Sequence, residues 1–210
     1  MSRCSPRSRS GYSTSAADAA DYGVPQRRQR CILLAERSAD PPGLPLPTTP
    51  EGKRKSVRSA IGDLPGLRAG AKAANDPLHF SRKHHPLTLK RLSHIPKNGG
   101  SRFSLPESLV LDCHKGYGGH PDVYGRMSWN DVAPTLTTGC TDVTRGRFAH
   151  PRANRAITLR EAARLQTFAD DYHFEGNSSE IATQIGNAVP VKLIEEILPF
   201  LRSELRERES

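Results

Sequence analysis

The sequence predicts helices and one or two strands at the two ends of the chain, with a loop-rich middle between them. Residues 30–35 are mostly apolar with few breakers, which predicts a buried strand that includes Cys31. Residues 158–205 carry helix caps and apolar residues at helical spacing. Many of the 17 prolines and 17 glycines lie between residues 41 and 125, where they disfavour regular elements. The apolar content of 35 % is low for a chain with one complete core.

The N-terminal region divides into short segments. Residues 1–15 are rich in Ser and Arg without a hydrophobic period, which predicts a disordered leader. Residues 16–20 are expected to end a short helix, and residues 21–26 form a turn with Gly and Pro as breakers. Five prolines between residues 40 and 50 indicate a linker. Neither a signal peptide nor an apolar run of membrane length is present, so we expect a cytoplasmic protein.

The middle region offers weak signals. Residues 56–61 predict a short helix that Gly62 ends, residues 109–113 a short strand, and residues 116–119 a flexible loop. The four cysteines form no Cys-x-x-Cys pair and are expected to be reduced thiols. Four histidines fit no metal-ligand spacing and are interpreted as satisfied surface residues or phosphate contacts: His79, His84, His85 and His94. We therefore expect no metal site.

The C-terminal third has the clearest helical signals. Thr158 and Glu161 have the spacing of a capping box, which opens a helix ending near Phe168. Ser178 or Ser179 can cap a second helix, which we expect Gly186 and Asn187 to break because both residue types tolerate a left-handed backbone. Pro190 suits the first position of a last helix, which Pro199 should kink or split. The apolar face of that helix comprises Ile194, Ile197, Leu198, Leu201 and Leu205.

The positive charge is concentrated in one window. The formal net charge is +9, and residues 51–97 hold eleven basic and three acidic side chains. Such a local basic field favours a polyanion, most simply the phosphates of DNA or RNA. A solvated basic surface without a partner is the alternative interpretation.

Three motifs occur in a fixed order. The first is Tyr-Gly-Val-Pro-Gln-x-Arg-x-Arg at residues 22–30, and the second runs from Arg126 to Pro-Thr-Leu-Thr-Thr at residues 134–138. The third combines Leu-Arg-Glu-Ala-Ala-Arg-Leu-Gln-Thr-Phe at residues 159–168 with Gln-Ile-Gly-Asn-Ala-Val-Pro at residues 184–190. Together they resemble the eighth, ninth and tenth motifs of a DNA (cytosine-5) methyltransferase. One departure is Ala169, where the family usually has Pro.

The resemblance implies a fold and a domain organisation. The fold would be the C-terminal part of an α/β, Rossmann-like, S-adenosylmethionine-dependent methyltransferase domain with an inserted small, irregular, β-rich target-recognition domain. It divides the chain into a leader at 1–15, a remnant of the catalytic domain at 16–40, a target-recognition domain at 41–138 and C-terminal helices at 139–210.

The resemblance also assigns roles to individual residues. A strand-like alternation places Gln26, Arg28 and Arg30 on one face, and in the family such residues contact the target cytosine; we expect Arg30 to touch the base and Arg28 to support it. Asn187, Ala188 and Val189 would line the methionine end of S-adenosylmethionine. Trp129 is expected to be a packing anchor. Contacts to double-stranded DNA are expected from Lys53, Arg54, Lys55, Arg82, Lys83, Arg126, Thr137 and Thr138.

The chemical half of such an enzyme is missing from these 210 residues. Pro-Cys, Glu-Asn-Val and Phe-x-Gly-x-Gly do not occur, so the thiolate that would attack the flipped cytosine is absent. Methyl transfer would then require a partner that supplies the Cys. Three hypotheses stay open: the second subunit of a split methyltransferase, a truncated remnant, and a non-catalytic, sequence-specific DNA-binding module.

Overall fold

A computed structural model describes residues 11–36, 45–116, 118–119 and 121–209. Within these residues, two strands and five helices are joined by long irregular segments and by short 3₁₀ turns. The strands are β1 (Gly11–Asp18) and β2 (Gln29–Glu36), and the helices are α1 (Val57–Ile61), α2 (Pro86–His94), α3 (Leu159–Leu165), α4 (Ser178–Asn187) and α5 (Val191–Glu209).

The two strands form an antiparallel pair in which Asp18 lies opposite Gln29. A 3₁₀ turn at Ala19–Tyr22 connects them, and Gly23 ends that turn with a φ of 78°. The carboxylate of Asp18 accepts from the backbone N–H groups of Ala20 and Arg28, at 3.2 and 2.9 Å, which closes the base of the hairpin.

This hairpin corrects two predictions. Residues 11–15 belong to a strand and not to a disordered leader, whereas residues 1–10 of that leader lie outside the described residues. The helix expected at residues 16–20 is also wrong, because residues 16–18 continue β1 and only a 3₁₀ turn follows. Pairing with β2 supplies the hydrogen bonds that make β1 a strand, and the local sequence does not reveal that partner.

Strand β2 is less buried than the sequence predicted. Cys31 is exposed and Leu33 keeps 59 % of its surface accessible. The cluster beside the hairpin contains residues of β1, the turn and α5: Ala17, Ala19, Tyr22, Val24, Leu193 and Ile197. In the described chain only one side of the hairpin is covered, so the other side of β2 stays open.

The middle of the chain is irregular but not β-rich. Within the described part of residues 41–138, the regular structure is two helices and short 3₁₀ turns, with isolated bridges such as Lys72 to Phe80. The strand predicted at residues 109–113 is wrong, since 3₁₀ turns occupy Glu107–Leu109 and Asp112–His114. Five buried residues of this region form a small cluster with three residues that follow position 138: Leu92, Ile95, Leu105, Leu109 and Tyr124, with Val143, Ala149 and Ala156.

A larger cluster joins α1 to the C-terminal helices. Val57 and Ile61 of α1 are buried with Leu165 of α3 and Ile185 of α4, so part of the predicted target-recognition segment packs with the C-terminal helices. Trp129 belongs to the same cluster and is 9 % exposed, as expected of a packing anchor. The division of the chain at residues 41 and 138 stays a prediction.

The three predicted C-terminal helices are present, and one of the two predicted N-caps is confirmed. Thr158 and Glu161 form the capping box of α3, which ends at Leu165, before Thr167 adopts a φ of 63°. The cap of α4 is Asn177 and not Ser178 or Ser179. Helix α5 begins at Val191, directly after Pro190, and continues through Pro199 as one element.

Candidate functional site

Residues 26–30, which lead into β2, alternate between buried and exposed side chains. Gln26 and Arg28 are buried at 0 % and 3 % exposure, Arg27 and Gln29 are exposed, and Arg30 is half-buried. The alternation predicted for the first motif is therefore present. Arg27 donates its backbone N–H to the carbonyl oxygen of Ala133 at 2.8 Å, which fixes this segment beside the second motif.

Gln26 joins three distant parts of the chain. Its side-chain Oε1 accepts from the backbone N–H of Leu136 at 2.8 Å, and its side-chain Nε2 donates to Oε1 of Gln166 at 3.0 Å. Gln166, which is also fully buried, donates onward to the carbonyl oxygen of Ile185 at 2.7 Å. One chain of side-chain amides thus connects the three motifs.

Arg28 adds a second connection between the same segments. Its guanidinium donates to the carbonyl oxygens of Leu136 and Gly186, both at 2.8 Å. Burial, together with the nearby charge of Arg30, lowers the pKa of Arg28 to about 10, so it stays charged at neutral pH. The Arg28 side chain is consequently buried and bound to backbone acceptors of the protein.

These bonds correct the predicted contacts of the first motif with the target cytosine. Gln26 and Arg28 are buried and occupied by protein partners, so neither can touch a base in this conformation. Arg28 braces the segment through its bonds to Leu136 and Gly186, and its support of a base contact by Arg30 stays a prediction. Arg30 alone of the three presents surface, and its Nη1 donates to the carbonyl oxygen of Gln29 at 2.8 Å. The base contact of Arg30 stays a prediction.

Sequence reasoning did not single out Gln166 as a functional residue. It follows the last residue of α3 within the third motif, and its backbone N–H caps that helix. The sequence shows only that a polar residue directly follows the apolar residues of a helix. Polar residues are equally common at helix ends that are exposed to solvent. Its burial depends on Gln26, which is 140 residues away.

Residues 186–189 lie at the end of α4. Helix α4 ends at Asn187, where the sequence predicted a break, but neither Gly186 nor Asn187 has the positive φ expected of a left-handed backbone. A Cβ at Gly186 would lie 2.4 Å from the carbonyl carbon of Thr137 and from the backbone nitrogen of Thr138. Glycine is required here because α4 packs directly on the backbone of the second motif.

The predicted cofactor residues are accessible from solvent. Asn187 and Val189 are exposed, Ala188 is half-buried, and the Asn187 amide makes no hydrogen bond within the described residues. A free amide supplies both a hydrogen-bond donor and an acceptor. It could therefore pair with the carboxylate or the ammonium group at the amino-acid end of S-adenosylmethionine. Binding of the cofactor by these residues remains an expectation.

An apolar cavity of about 350 Å³ brings the two predicted sites together. Arg30 lines it from β2 and Val189 from the end of α4, and α5 supplies Ile194 and Leu198. The exposed fractions of Leu33, Val189, Ile194 and Leu198 are 59, 47, 48 and 38 %. We call these four residues, with the cavity between them, the open apolar face.

Most residues predicted to contact DNA phosphates are at the surface. Arg54 is half-buried and bonded to Asp21, with Nη2 to Oδ1 at 2.6 Å. The other accessible residues are Lys53, Lys55, Arg82, Lys83, Thr137 and Thr138, all exposed. Contact with DNA stays a prediction for each of them.

Arg126 is an exception and its predicted contact with DNA is corrected. It is 0 % exposed, and its guanidinium donates to the carbonyl oxygens of Leu92 and Ile95 at the end of α2, at 2.6 and 3.1 Å. It also donates to the carbonyl oxygens of His150 and Ala153. Burial lowers its pKa to about 10. Arg126 therefore terminates a helix and holds adjacent loops together.

The described cysteines and histidines do not form a reactive centre. Burial raises the pKa of the Cys140 thiol to about 12, so it stays protonated, and Cys31 and Cys113 are exposed. His79 is not a surface residue as expected: it is 1 % exposed and bonded to Thr158 and to the carbonyl oxygen of Pro65. No group of His, Cys, Asp and Glu within the described residues could hold a metal ion. Nor does any helix there have the length and apolar character needed to cross a bilayer.

Comparison with known proteins identifies the family. The family model for the C-5 cytosine-specific DNA methylases matches residues 8–201. The type II methylase M.HgiDII of Herpetosiphon aurantiacus is 43 % identical over 192 residues, which cover 87 % of this chain and 53 % of that protein. The type II methyltransferase M1.HphI of Haemophilus parahaemolyticus is 34 % identical over 180 residues, which cover 86 % and 45 % respectively. The chain thus spans about half the length of these relatives.

Solved structures agree on the fold. An E. coli prophage protein assigned as a DNA modification methyltransferase has a TM-score of 0.62 at 20 % identity, covering 93 % of this chain and 62 % of that one. The Entamoeba histolytica methyltransferase EhMeth has a TM-score of 0.52 at 14 % identity, covering 93 % and 54 %. The likeness is consistent with the α/β methyltransferase fold. By the family match and the identity to type II methylases, the chain belongs to the C-5 cytosine-specific DNA methylases.

Proposed function

We propose that this chain is the C-terminal, DNA-recognising part of a DNA (cytosine-5) methyltransferase, which contacts the target cytosine and closes one side of the cofactor site. Arg30 holds the target base, and Asn187 with Ala188 and Val189 contacts the amino-acid end of S-adenosylmethionine. The cofactor, when bound, supplies the methyl group. Exposed Lys, Arg and Thr side chains position double-stranded DNA through its phosphates.

One observation carries this proposal: the bonds of Arg28 tie the base segment to the cofactor segment. Arg28 precedes Arg30 by two residues and donates to Gly186, the residue before Asn187. The same two segments meet at one cavity, lined by Arg30 and Val189. The proposed base contact and the proposed cofactor contact would therefore lie side by side, as a methyl transfer between base and cofactor requires.

We further propose that the chain does not transfer methyl groups alone. The reaction needs a thiolate in the base pocket, and no cysteine of this sequence follows a proline. Cys140 is a buried thiol with a pKa of about 12. A second polypeptide segment must supply the nucleophile and the remaining walls of the cofactor site.

The open apolar face is where we expect that segment to pack. Four large apolar side chains with exposed fractions between 38 and 59 % surround it, and an apolar surface of this kind favours a protein partner. Arg30 lies at the same cavity, so a partner bound there would reach the base contact. The proposal includes a separate N-terminal methyltransferase subunit as that partner. The site of action of such a DNA-modifying protein would be the cytoplasm.

Transfer of a radioactive methyl group to duplex DNA tests these points. The purified chain alone should bind DNA without methylating it, and adding the first half of M.HgiDII as a separate polypeptide should restore transfer. Arg30→Gln should abolish the restored transfer, whereas Arg27→Gln, which alters an exposed neighbour, should not. Robust transfer by the chain alone would refute the requirement for a partner.

The test also separates the alternatives. DNA binding without restored transfer by any added N-terminal half would favour the non-catalytic DNA-binding module or a remnant. The module would in addition need a self-sufficient core, and the exposure of Leu33 and Ile194 argues against one. Restored transfer that depends on Arg30 favours the split enzyme.

A further inference from the structure

A polar cavity of about 550 Å³ lies outside the base and cofactor segments. It forms where the loop at residues 138–145 meets the first turns of α4 and the segment around Arg82. Side chains from four separate parts of the chain line it, among them Phe80, Arg82, Thr138, Arg145, Ser179 and Thr183. Of these, only Arg82 and Thr138 were predicted from the sequence to contact DNA.

Arg145 is held in place by packing, and it interacts electrostatically with Asp142. A Cβ at Gly139 would lie 2.2 Å from Cδ of Arg145, so the aliphatic stem of this arginine packs directly on the glycine. Within the described residues, its guanidinium makes no hydrogen bond and no ion pair. The N–H donors of Arg145 are therefore available to a ligand.

Asp142 orients the second guanidinium of the cavity. Nη1 of Arg82 lies 3.3 Å from Oδ2 of Asp142, while Oδ1 of Asp142 accepts from the backbone N–H and the hydroxyl of Thr144 at 2.9 and 2.8 Å. The carboxylate is thus occupied by protein donors. Two arginines and one aspartate leave the lining with a net positive charge.

The remaining polar groups of the cavity are hydroxyls. Those of Thr138, Thr141, Ser178 and Ser179 make no hydrogen bond with the described residues, although all four residues line the cavity. Hydroxyl and guanidinium donors around one space suit a ligand with several acceptor oxygens and a negative charge. The cavity volume exceeds that of a bare phosphate group and leaves room for an attached sugar.

We propose that this cavity binds a phosphodiester group of the DNA strand, with Arg82 and Arg145 holding the phosphate oxygens. The assignment rests on the proposed function, since it presumes that the chain binds DNA. It adds Arg145 to the DNA-binding residues. Phosphate contacts position the protein without reading sequence, so this site would set the register of the chain on the duplex.

The salt dependence of DNA binding tests the assignment. Fluorescence anisotropy with a labelled duplex gives the association constant of the full chain over a series of salt concentrations. Arg145→Gln should weaken binding to every sequence and reduce the slope of log K against log salt by about 1, the loss of one phosphate contact. Arg202→Gln removes the same charge from exposed α5, outside the cavity, and should leave the slope unchanged. An unchanged slope for Arg145→Gln would overturn the proposal.

A second measurement changes the DNA instead of the protein. Its first part uses only the native chain and so does not depend on how a variant folds. Replacing single linkages of the duplex by neutral methylphosphonates should weaken binding of the native chain at the linkage that occupies the cavity. The Arg145→Gln variant should lose less than the native chain at that linkage, because only the Arg82 contact is left to lose. Equal losses in both proteins at every linkage would count against the site.

Two further outcomes separate the possible sources of phosphate. Inorganic phosphate that binds in an Arg145-dependent manner, while the DNA salt slope does not change, would identify a free-phosphate site and overturn the assignment to DNA. Failure of the native chain to bind DNA at all would refute the proposed function itself. Normal DNA binding with no effect of Arg145 would refute only this inference.

Discussion

The guanidinium of Arg28 donates to the carbonyl oxygen of Gly186 at 2.8 Å, across 158 residues of sequence. Gly186 precedes the exposed Asn187, and Arg28 precedes the accessible Arg30 by two residues. The bond therefore couples the position of the proposed base contact to that of the proposed cofactor contact. Neither Arg28 nor Gly186 needs to touch a ligand for this coupling to matter.

Arg28→Met should destabilise the fold. It leaves the buried carbonyl oxygens of Leu136 and Gly186 without their donor, and an unsatisfied buried acceptor costs about 1 to 3 kcal/mol. Urea denaturation would measure the loss in the free energy of unfolding. Arg27→Met changes an exposed neighbour and serves as the control. Equal stability of the two variants would show that the bonds of Arg28 do not brace the segment.

Gly186→Ala should be costly although the position is helical. The added Cβ would meet the backbone of Thr137 and Thr138 at 2.4 Å, so α4 or the second motif must shift. Overpacking of this kind costs roughly 1 to 3 kcal/mol, which thermal or urea unfolding would detect. Gly66→Ala is a matched control, because a Cβ there meets nothing within 4 Å. A neutral Gly186→Ala would mean that α4 moves freely away from the second motif.

Glu161→Gln should be among the more damaging single changes. Glu161 forms a buried, two-bonded ion pair with Arg155, with N–O distances of 2.7 and 2.8 Å. The variant would retain a capping acceptor but leave the Arg155 charge without its counterion, which costs about 3 to 5 kcal/mol. The free energy of unfolding is the quantity to compare, with Glu107→Gln as an exposed control. If Glu161→Gln lowers the free energy of unfolding by no more than Glu107→Gln does, the ion pair with Arg155 contributes little to stability.

The stability of the chain should fall between pH 6.5 and pH 4 because of His150. Its Nδ1 accepts from the backbone N–H groups of Arg152 and Ala153, and burial lowers its pKa from 6.5 to about 4. Between these values the unfolded chain binds a proton that the folded chain does not, so acidification favours unfolding. The full contribution is roughly 3 kcal/mol.

The matching experiment compares the pH dependence of unfolding in the native chain and in His150→Asn. Asparagine keeps an acceptor for the two backbone groups but does not titrate in this range. The free energy of unfolding of the native chain minus that of His150→Asn should be constant above pH 6.5 and decline below it. Superimposable curves over the whole range would show that His150 is protonated in the folded chain as readily as in the unfolded one.

Local features of the sequence predicted local features of the structure. The capping box of Thr158 and Glu161 and the three C-terminal helices follow from contacts within a few residues. Motif order was enough to recognise the methylase family, and the family match over residues 8–201 agrees with it. The boundaries were less exact, as the cap at Asn177 shows.

Errors arose where distant partners decide the outcome. Arg126 was predicted to contact DNA, yet it is buried because four backbone carbonyl oxygens from the end of α2 and a later loop converge on it. Residues 11–15 lacked a strand signal and become a strand because β2 pairs with them. The open side of β2 was predicted to be buried because an apolar run does not reveal whether anything covers it.

By itself, the sequence determined the family, the capping box of α3 and the residue types available for base, cofactor and phosphate contacts, because these depend on short motifs. Only the tertiary structure decided which of those residues are accessible. Arg28 and Arg30 are alike in sequence, but one is enclosed by Leu136 and Gly186 while the other lines a cavity with Val189. An arginine side chain is buried where the fold brings backbone carbonyl oxygens to its guanidinium. For Arg28, those carbonyl oxygens come from segments more than 100 residues away.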